Sequence, residues 1–218
     1  TNLCSQGEQL FSVDTTTLKA RFELIYGGAI RGDQEGQKLC KGPNGLFYGI
    51  CYGGGLYGKG VVYEFNQYTN TLNTVHDFAT PEYPTSLGLT LHKNGKMYGT
   101  FSTNDGIHER AKIFSLNTST KQLDIELVDS NLSVKSNMEF IEGRDGRLYL
   151  LGTYLDSPFS NHKGIVAYDP ITNSLEHLYG GYGLTNPQDK IFELDSLKFG
   201  WSLNNLVIYD SWHMKDTI

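Results

Sequence analysis

Apolar and polar positions alternate over short stretches along the whole chain, and nowhere do apolar residues hold a sustained helical period. Runs such as Leu10-Phe11-Ser12-Val13, Val62-Tyr63-Glu64-Phe65 and Ile113-Phe114-Ser115-Leu116 are bounded by Gly, Asn, Asp and Thr. This is the pattern of short β-strands joined by tight turns.

The turns repeat. Asn44-Gly45, Asn94-Gly95, Asp145-Gly146 and, more weakly, Asn204-Asn205 each precede an apolar-aromatic strand. Asn-Gly and Asp-Gly suit a type I′ hairpin turn with positive φ at both central residues. A second landmark is a strand ending in Asp14, Asn66, Asn117 or Asp169, with Thr17, Thr69, Thr120 or Thr172 three residues on. Each is followed by a further strand. The landmarks recur about every 50 residues, the length of a four-stranded propeller blade.

Residues 87–128 show one unit in full: Leu87–His92, Lys96–Ser102, Ala111–Leu116 and Gln122–Val128. The N-terminal segment carries only strands three and four of a unit, at residues 9–26. The C-terminal segment, Leu197–Trp212, carries only strands one and two. Pairing the two would hide exposed sheet edges. The expected fold is therefore all-β: a β-propeller of four blades, the last closed by the N- and C-terminal strands. The units are about 35–85, 86–135, 136–183, and a composite of 184–218 with 1–34, in a single domain over 1–218. An open fragment of a larger propeller, or another all-β array, is the alternative.

Composition narrows the partners. Charged residues are 19% and aromatics 12% of the 218 residues, which suits a packed chain, and no Pro/Ser linker divides it. The net charge is −6 and no Lys/Arg cluster appears, which argues against nucleic acid. No apolar run reaches the roughly 18 residues of a membrane helix. The chain opens at Thr1 with no signal-like segment, as expected of a processed chain or an excised domain. Three cysteines fix no framework. Cys51 falls in a strand as a buried thiol, and a Cys4–Cys40 bridge is one arrangement for the other two. Asn117-Thr-Ser and Asn131-Leu-Ser match the glycosylation pattern.

Leu46-Phe47-Tyr48-Gly49, Tyr52-Gly53-Gly54-Gly55, Gly58-Lys59-Gly60-Val61-Val62-Tyr63 and Thr74-Val75-His76-Asp77-Phe78 resemble one copy of a bacterial tandem repeat. Its pattern is leucine-tyrosine-glycine-threonine, a Gly-Gly loop, Gly-x-Gly-Thr-Val-Phe, and a closing hydrophobic-x-x-Phe. The likeness is close over 44–78 and partial over 94–128, where Asn104-Asp105-Gly106 replaces the Gly-Gly loop. Over 145–180 and at both ends only the strand and turn landmarks survive. The resemblance implies a propeller-type fold in a secreted or surface-attached protein. It carries no catalytic residues.

The long connections are expected at one end of the units: Tyr52–Gly60, Thr103–Arg110, Leu155–Lys163 and Ser211–Lys215, with Gly27–Gly42, Ala79–Ser86, Asp129–Asn137 and Gly180–Asp189. Function concentrates on such loops. The opposite end has only tight turns and reads as scaffold. Tyr52, Tyr57, His108, Tyr154, Phe159, His162 and Trp212 are the candidate binding residues, since loop aromatics stack on sugars or anchor proteins. Each could instead cap the core between units.

Asp105, Glu109 and Asp156 share these loops, and paired carboxylates are the machinery of glycoside cleavage. His108, His162 and His213 sit at loosely equivalent places, but without the tight spacing of metal ligands. Arg31-Gly32-Asp33 is too short a match to an integrin-binding tripeptide to carry weight. Gly53-Gly54-Gly55 leads into no helix and is no phosphate cradle. The expectation is a non-catalytic extracellular or cell-surface module, with no cofactor or metal. Its partner is a glycan or a protein, including copies of itself in a surface assembly. The alternative is a polysaccharide hydrolase or lyase using the loop carboxylates.

Overall fold

The computed structural model describes residues 2–6, 9–13, 16–17, 19–25, 38–86, 88–104, 109–129, 132–133, 139–181, 190–195, 198–202, 207–210 and 215–217. All described regular structure is β. Sheet one contains β1 (Asn2–Gln6), β2 (Gln9–Val13) and β3 (Ala20–Ile25). Sheet two contains β4 (Cys40–Lys41), β5 (Phe47–Cys51), β6 (Val61–Asn66) and β7 (Thr71–Asp77). Sheet three contains β8 (Glu82–Pro84), β9 (Thr90–Leu91), β10 (Met97–Asn104), β11 (Glu109–Asn117) and β12 (Gln122–Asp129). Sheet four contains β13 (Leu132–Ser133), β14 (Ile141–Glu142), β15 (Leu148–Ser157), β16 (Ser160–Asp169) and β17 (Ser174–Gly181). Sheet five contains β18 (Lys190–Asp195), β19 (Lys198–Ser202), β20 (Val207–Asp210) and β21 (Lys215–Thr217).

Every described ladder is antiparallel. The first strand position of sheets three and four is interrupted. Both β8 and β9 pair with β10, and both β13 and β14 pair with β15. These are the units of four strand positions that the repeats predict.

The two ends differ from the expectation. Residues 9–26 and 197–212 do not share a sheet: β1–β3 and β18–β21 are separate meanders. The physical reason is local. β1 pairs with β2 along its whole length, and β18 supplies β19 with a neighbour. Short hairpins close with less entropy loss than a pairing between opposite ends of the chain. The N-terminal segment also carries three strands rather than two, while β2 and β3 share one feature with the later third and fourth strands. A β-bulge lies between Leu10/Phe11, and bulges recur at the equivalent positions Val62/Tyr63, Ile113/Phe114 and Ile165/Val166. Each sharpens the twist of its hairpin.

The core is two layers deep around sheet three. Tyr48, Ile50, Val62 and Phe78 of sheet two meet Met97, Phe101, Phe114 and Leu116. Tyr98, Ala111 and Ile113 meet Leu132, Phe140, Leu148, Leu150, Val166 and Tyr168 of sheet four. Cys51, Val61, Tyr63 and Phe65 are buried on the other side of sheet two. Strands covered on both faces need near-continuous apolar runs, which is why Val61–Phe65 is so apolar. One glycine position follows from this packing. A Cβ at Gly49 would lie 2.4 Å from the Tyr63 ring, and one at Gly99 2.6 Å from the Phe114 ring. Sheet four places Leu150 there and faces it with Val166, a smaller cross-strand partner.

The Asn-Gly turns are also not as expected. Gly45, Gly95 and Gly146 have φ of 82°, 85° and 84°, but the Asn or Asp before each does not have positive φ. The amide of each Gly donates to a carbonyl three residues back, on Gly42, His92 or Gly143. These are tight turns followed by a left-handed glycine, the three-residue hairpin form rather than type I′. The preceding side chain explains the choice. Asn44, Asn94 and Asp145 each accept, through Oδ1, the amide of the residue two on, at 3.2, 3.0 and 3.0 Å. The other end of the same side chain holds a buried tyrosine. Asn44 Nδ2 donates to Tyr48 OH and Asn94 Nδ2 to Tyr98 OH, both at 2.8 Å. In sheet four the polarity reverses, and Tyr149 OH donates to Asp145 Oδ2 at 2.6 Å.

Two predictions follow from the turns. Gly→Val at 45 or 95 should cost roughly 1–2 kcal/mol of stability, because β-branched residues tolerate left-handed backbone poorly. Near-neutral denaturant midpoints for both would remove the turn assignment. The second concerns Asp145. Burial alone would raise its carboxyl, but the Tyr149 hydroxyl and the Arg147 amide and guanidinium outweigh that and hold it below the ordinary carboxylate range. A depressed acid stabilises the fold above its unfolded pKa and loses that stability as pH falls through its folded pKa. Asp145→Asn copies the Asn44 and Asn94 arrangement. It should keep stability at neutral pH within about 1 kcal/mol and soften the loss below about pH 4. An unchanged acid profile would show that the carboxylate is not the sensitive group.

Candidate functional site

The end bearing the strand two–three connections is less uniform than the sequence suggests. Sheets three and four carry the ladder further than sheet two. Asn104 pairs with Glu109, and Ser157 with Ser160, so the strands run on as long hairpins. β8 and β13 extend the inner edge of these hairpins. Tyr154 and His162 are therefore strand residues, register partners across β15 and β16. Glu109 and Asp156 are also strand positions. Among the described residues, sheet two has a loop here, because the glycines after Cys51↔Val61 end the ladder.

That loop, residues 52–60, is strongly ordered by its own hydrogen bonds. Gly54, Gly55, Gly58 and Gly60 have φ of 76°, 78°, 66° and 107°. Gly58 N donates to Gly55 O at 3.3 Å, Gly60 N to Gly54 O at 3.1 Å, and Phe78 N to Gly60 O at 3.0 Å. The Asp77 carboxylate accepts the Leu56 amide at 2.6 Å. A Cβ at Gly60 would lie 2.4 Å from the Cys51 carbonyl and 2.8 Å from Pro84, so the chain passes where no other residue fits.

This frame projects Leu56, 76% exposed, and Tyr57, 57% exposed. Beside them Lys59 Nζ lies 5.7 Å from the Tyr83 ring centroid, a cation–π contact. Tyr83 is itself 36% exposed. Tyr52 behaves differently: it is half-buried, and its hydroxyl donates to Thr85 O at 3.4 Å. It belongs to the support of the loop rather than to its surface. Beneath lies a buried hydroxyl cluster. Thr100 Oγ1 is 2.9 Å from both Thr85 Oγ1 and Ser86 Oγ, and the Thr100 amide donates to Ser86 Oγ. Ser102 Oγ, two residues on, is buried without a hydrogen-bond partner.

Neither Cys40 nor Cys51 is activated. Burial pushes the Cys51 thiol up to about 12 and raises Cys40, so both resist forming the reactive thiolate. Cys40 is a free thiol, so the bridge to Cys4 does not form. His76 sits edge-on to Phe78 with ring centroids 4.9 Å apart. Burial lowers its pKa, opposed by the charges of Glu82 and Asp77. Among the described residues no group of three His, Cys, Asp or Glu is placed to hold a metal ion. Among them, too, no helix is long and apolar enough to cross a membrane.

Of the seven candidate binding residues, the structure exposes Tyr57 on the loop and seats Tyr52 beneath it. It pairs Tyr154 with His162 on a separate hairpin. His108, Phe159 and Trp212 lie outside the described residues, as do Asp105 and His213 and the side chains of Glu109 and Asp156. Leu56 and Lys59 were missed, although their place among the loop glycines was a usable signal. Asp77 was missed as a loop anchor, and nothing in its local sequence announces that role. The tight-turn end is not bare scaffold. Tyr68 and Ile171, at equivalent turn positions, are 82% and 80% exposed.

The architecture defines an all-β protein of successive antiparallel sheets, and its structural neighbours are β-propeller-like. TolB from Acinetobacter baumannii is similar over 99% of this chain, with a TM-score of 0.60 and 16% identity. The extracellular domain of a putative one-component system from B. thetaiotaomicron is similar over 94%, with a TM-score of 0.54 and 14% identity. The chain spans 51% of the first protein's length and 26% of the second's. No protein-family model matches the chain, and no characterised protein matches it in sequence.

The loop makes its own prediction. Asp77→Ala removes the acceptor of the Leu56 amide, a charge-assisted hydrogen bond worth about 1.5–3 kcal/mol when intact. Its loss at a solvent-facing loop should fall at the lower end of that range in global stability. It should also speed exchange of the Leu56 amide hydrogen. An amide that exchanges at the wild-type rate would mean that the glycine frame alone holds the loop.

Proposed function

We propose that this chain is a non-catalytic extracellular or cell-surface binding module that engages a glycan or protein partner at the end carrying loop 52–60. The observation behind the proposal is that loop. Its glycines and Asp77 fix the backbone before any partner arrives, and it spends that order on displaying Leu56 and Tyr57. A preorganised contact loses less entropy on binding than a mobile one. The extracellular setting is supported by the resemblance of residues 44–78 to a secreted bacterial repeat. It also agrees with the similarity in fold to an extracellular domain.

The test begins with a glycan array, a polysaccharide panel with product detection, and the mass of the chain in solution. A partner should emerge from the array or as a self-complex, without product release. Tyr57→Ala should then weaken binding by about 2 kcal/mol or more, as for a central aromatic anchor. Tyr68→Ala, at the opposite end, should leave it unchanged. If Tyr68→Ala abolishes binding and Tyr57→Ala does not, the wrong end has been chosen. Steady release of oligosaccharide would replace the binding module with an enzyme.

A further inference from the structure

The loop tip has a chemistry that distinguishes between classes of partner, if the end proposed above is the binding end. It is convex: Leu56 and Tyr57 stand out, and a Cβ at Gly58 would meet nothing within 4 Å. Its most exposed member is Leu56, which has neither a ring face nor a polar group. Sugars are usually held by flat aromatic platforms flanked by hydrogen-bonding groups. Here the nearby aromatic, Tyr83, already has Lys59 over its ring. What the tip offers is an aliphatic–aromatic knob.

The knob is bordered by a cation. Lys59 makes a cation–π contact, and among the described residues it has no carboxylate partner. Lys38, Lys96 and Lys121, by contrast, each pair with a glutamate. Lys59 sets a cation beside the exposed apolar tip, while the Asp77 carboxylate of the same loop frame is taken up by the Leu56 amide. We propose that the partner is a protein presenting an apolar socket for Leu56 and Tyr57, bordered by a carboxylate for Lys59. Apolar contact would supply the affinity, and the flanking charge pair would set orientation and discriminate against basic surfaces.

The experiment is selection of a random twelve-residue peptide library displayed on phage against the immobilised full chain. Enriched peptides are then made synthetically and titrated. They should carry large apolar residues next to Asp or Glu. Leu56→Ser and Tyr57→Ala should each weaken them by about tenfold or more. Leu56 and Tyr57 are exposed, so the thermal transition of their variants should stay at the wild-type position; Lys59 is half-buried over Tyr83, so Lys59→Glu is read by what it selects. Lys59→Glu should lose the same peptides, and reselection on that variant should return Lys or Arg in place of the acids.

The failures separate. Dependence on Leu56 and Tyr57 without acidic enrichment, or without a Lys59 effect, overturns the charged socket and leaves the binding end standing. Peptides that ignore the loop variants but are lost in Tyr68→Ala or Ile171→Ser overturn both. Failure to enrich any peptide counts against a protein partner. If polygalacturonate binds instead and is lost in the same loop variants, the ligand is an acidic glycan and this inference is wrong.

Discussion

The contact on which the sheets depend is a side chain that does two jobs at once. Asn44, Asn94 and Asp145 each cap the backbone of their own turn and hold a tyrosine buried in the next strand. A buried tyrosine hydroxyl without a partner would cost about 1–3 kcal/mol. Satisfying it from the turn ties strand register to turn geometry, so a slipped hairpin would strand the hydroxyl. The unequal chemistry is informative. Tyr48, which accepts a hydrogen bond from Asn44, donates its own to Glu64 at 3.3 Å. Tyr149, which donates to Asp145, has its pKa pushed up by burial and then by that carboxylate.

From Tyr48 the network crosses between sheets. Glu64, buried on β6, is held by Asn73 and by Lys121 Nζ, which reaches over from sheet three. Lys121 has φ of 59°, and its equivalents Asn70 and Asn173 have 55° and 53°. Asn173 of sheet four reaches back in the same way and donates to the Glu126 carbonyl of sheet three at 2.8 Å. Glu126 itself is held by Ser115 and Lys96, at 2.6 and 2.9 Å. His92 extends the stitching on the inner side, 2.8 Å from the Gly146 carbonyl. The tight-turn end thus adds polar links between the sheets to the apolar core they share.

Much of this was legible in the sequence because the causes are local. The repeat of Asn-Gly-x-x-Tyr marked the turns, and the Asn66, Asn117 and Asp169 landmarks do cap their turns, at 2.9, 3.0 and 2.8 Å to the residue two on. The type of the first turn was not legible. An Asn-Gly pair is compatible with two hairpin forms, and the choice lies with the buried tyrosine four residues on. The pairing at the chain ends was not legible either, since edge satisfaction can be met locally or at a distance. At the candidate site, Tyr57 could be singled out by composition. The role of Asp77 could not, because it acts across the fold on a loop about 20 residues earlier. Nor could pattern alone show that the ladders run out to Asn104↔Glu109 and Ser157↔Ser160, since polar residues suit a protruding hairpin as well as a loop.

The left-handed turn residues make the sheets a directional series. Sheet three addresses a buried glutamate in sheet two with a lysine, while sheet four addresses a backbone carbonyl in sheet three with an asparagine. Sheets three and four therefore each carry a key to the sheet before, and the keys differ. Units that share a length and a strand plan are still not interchangeable parts. A duplicated sheet three would offer its lysine to a copy of itself, in which Ser115 occupies the position of Glu64. In such a lineage, lengthening the array would require new keys as well as new strands, which sets a limit on growth by simple copying.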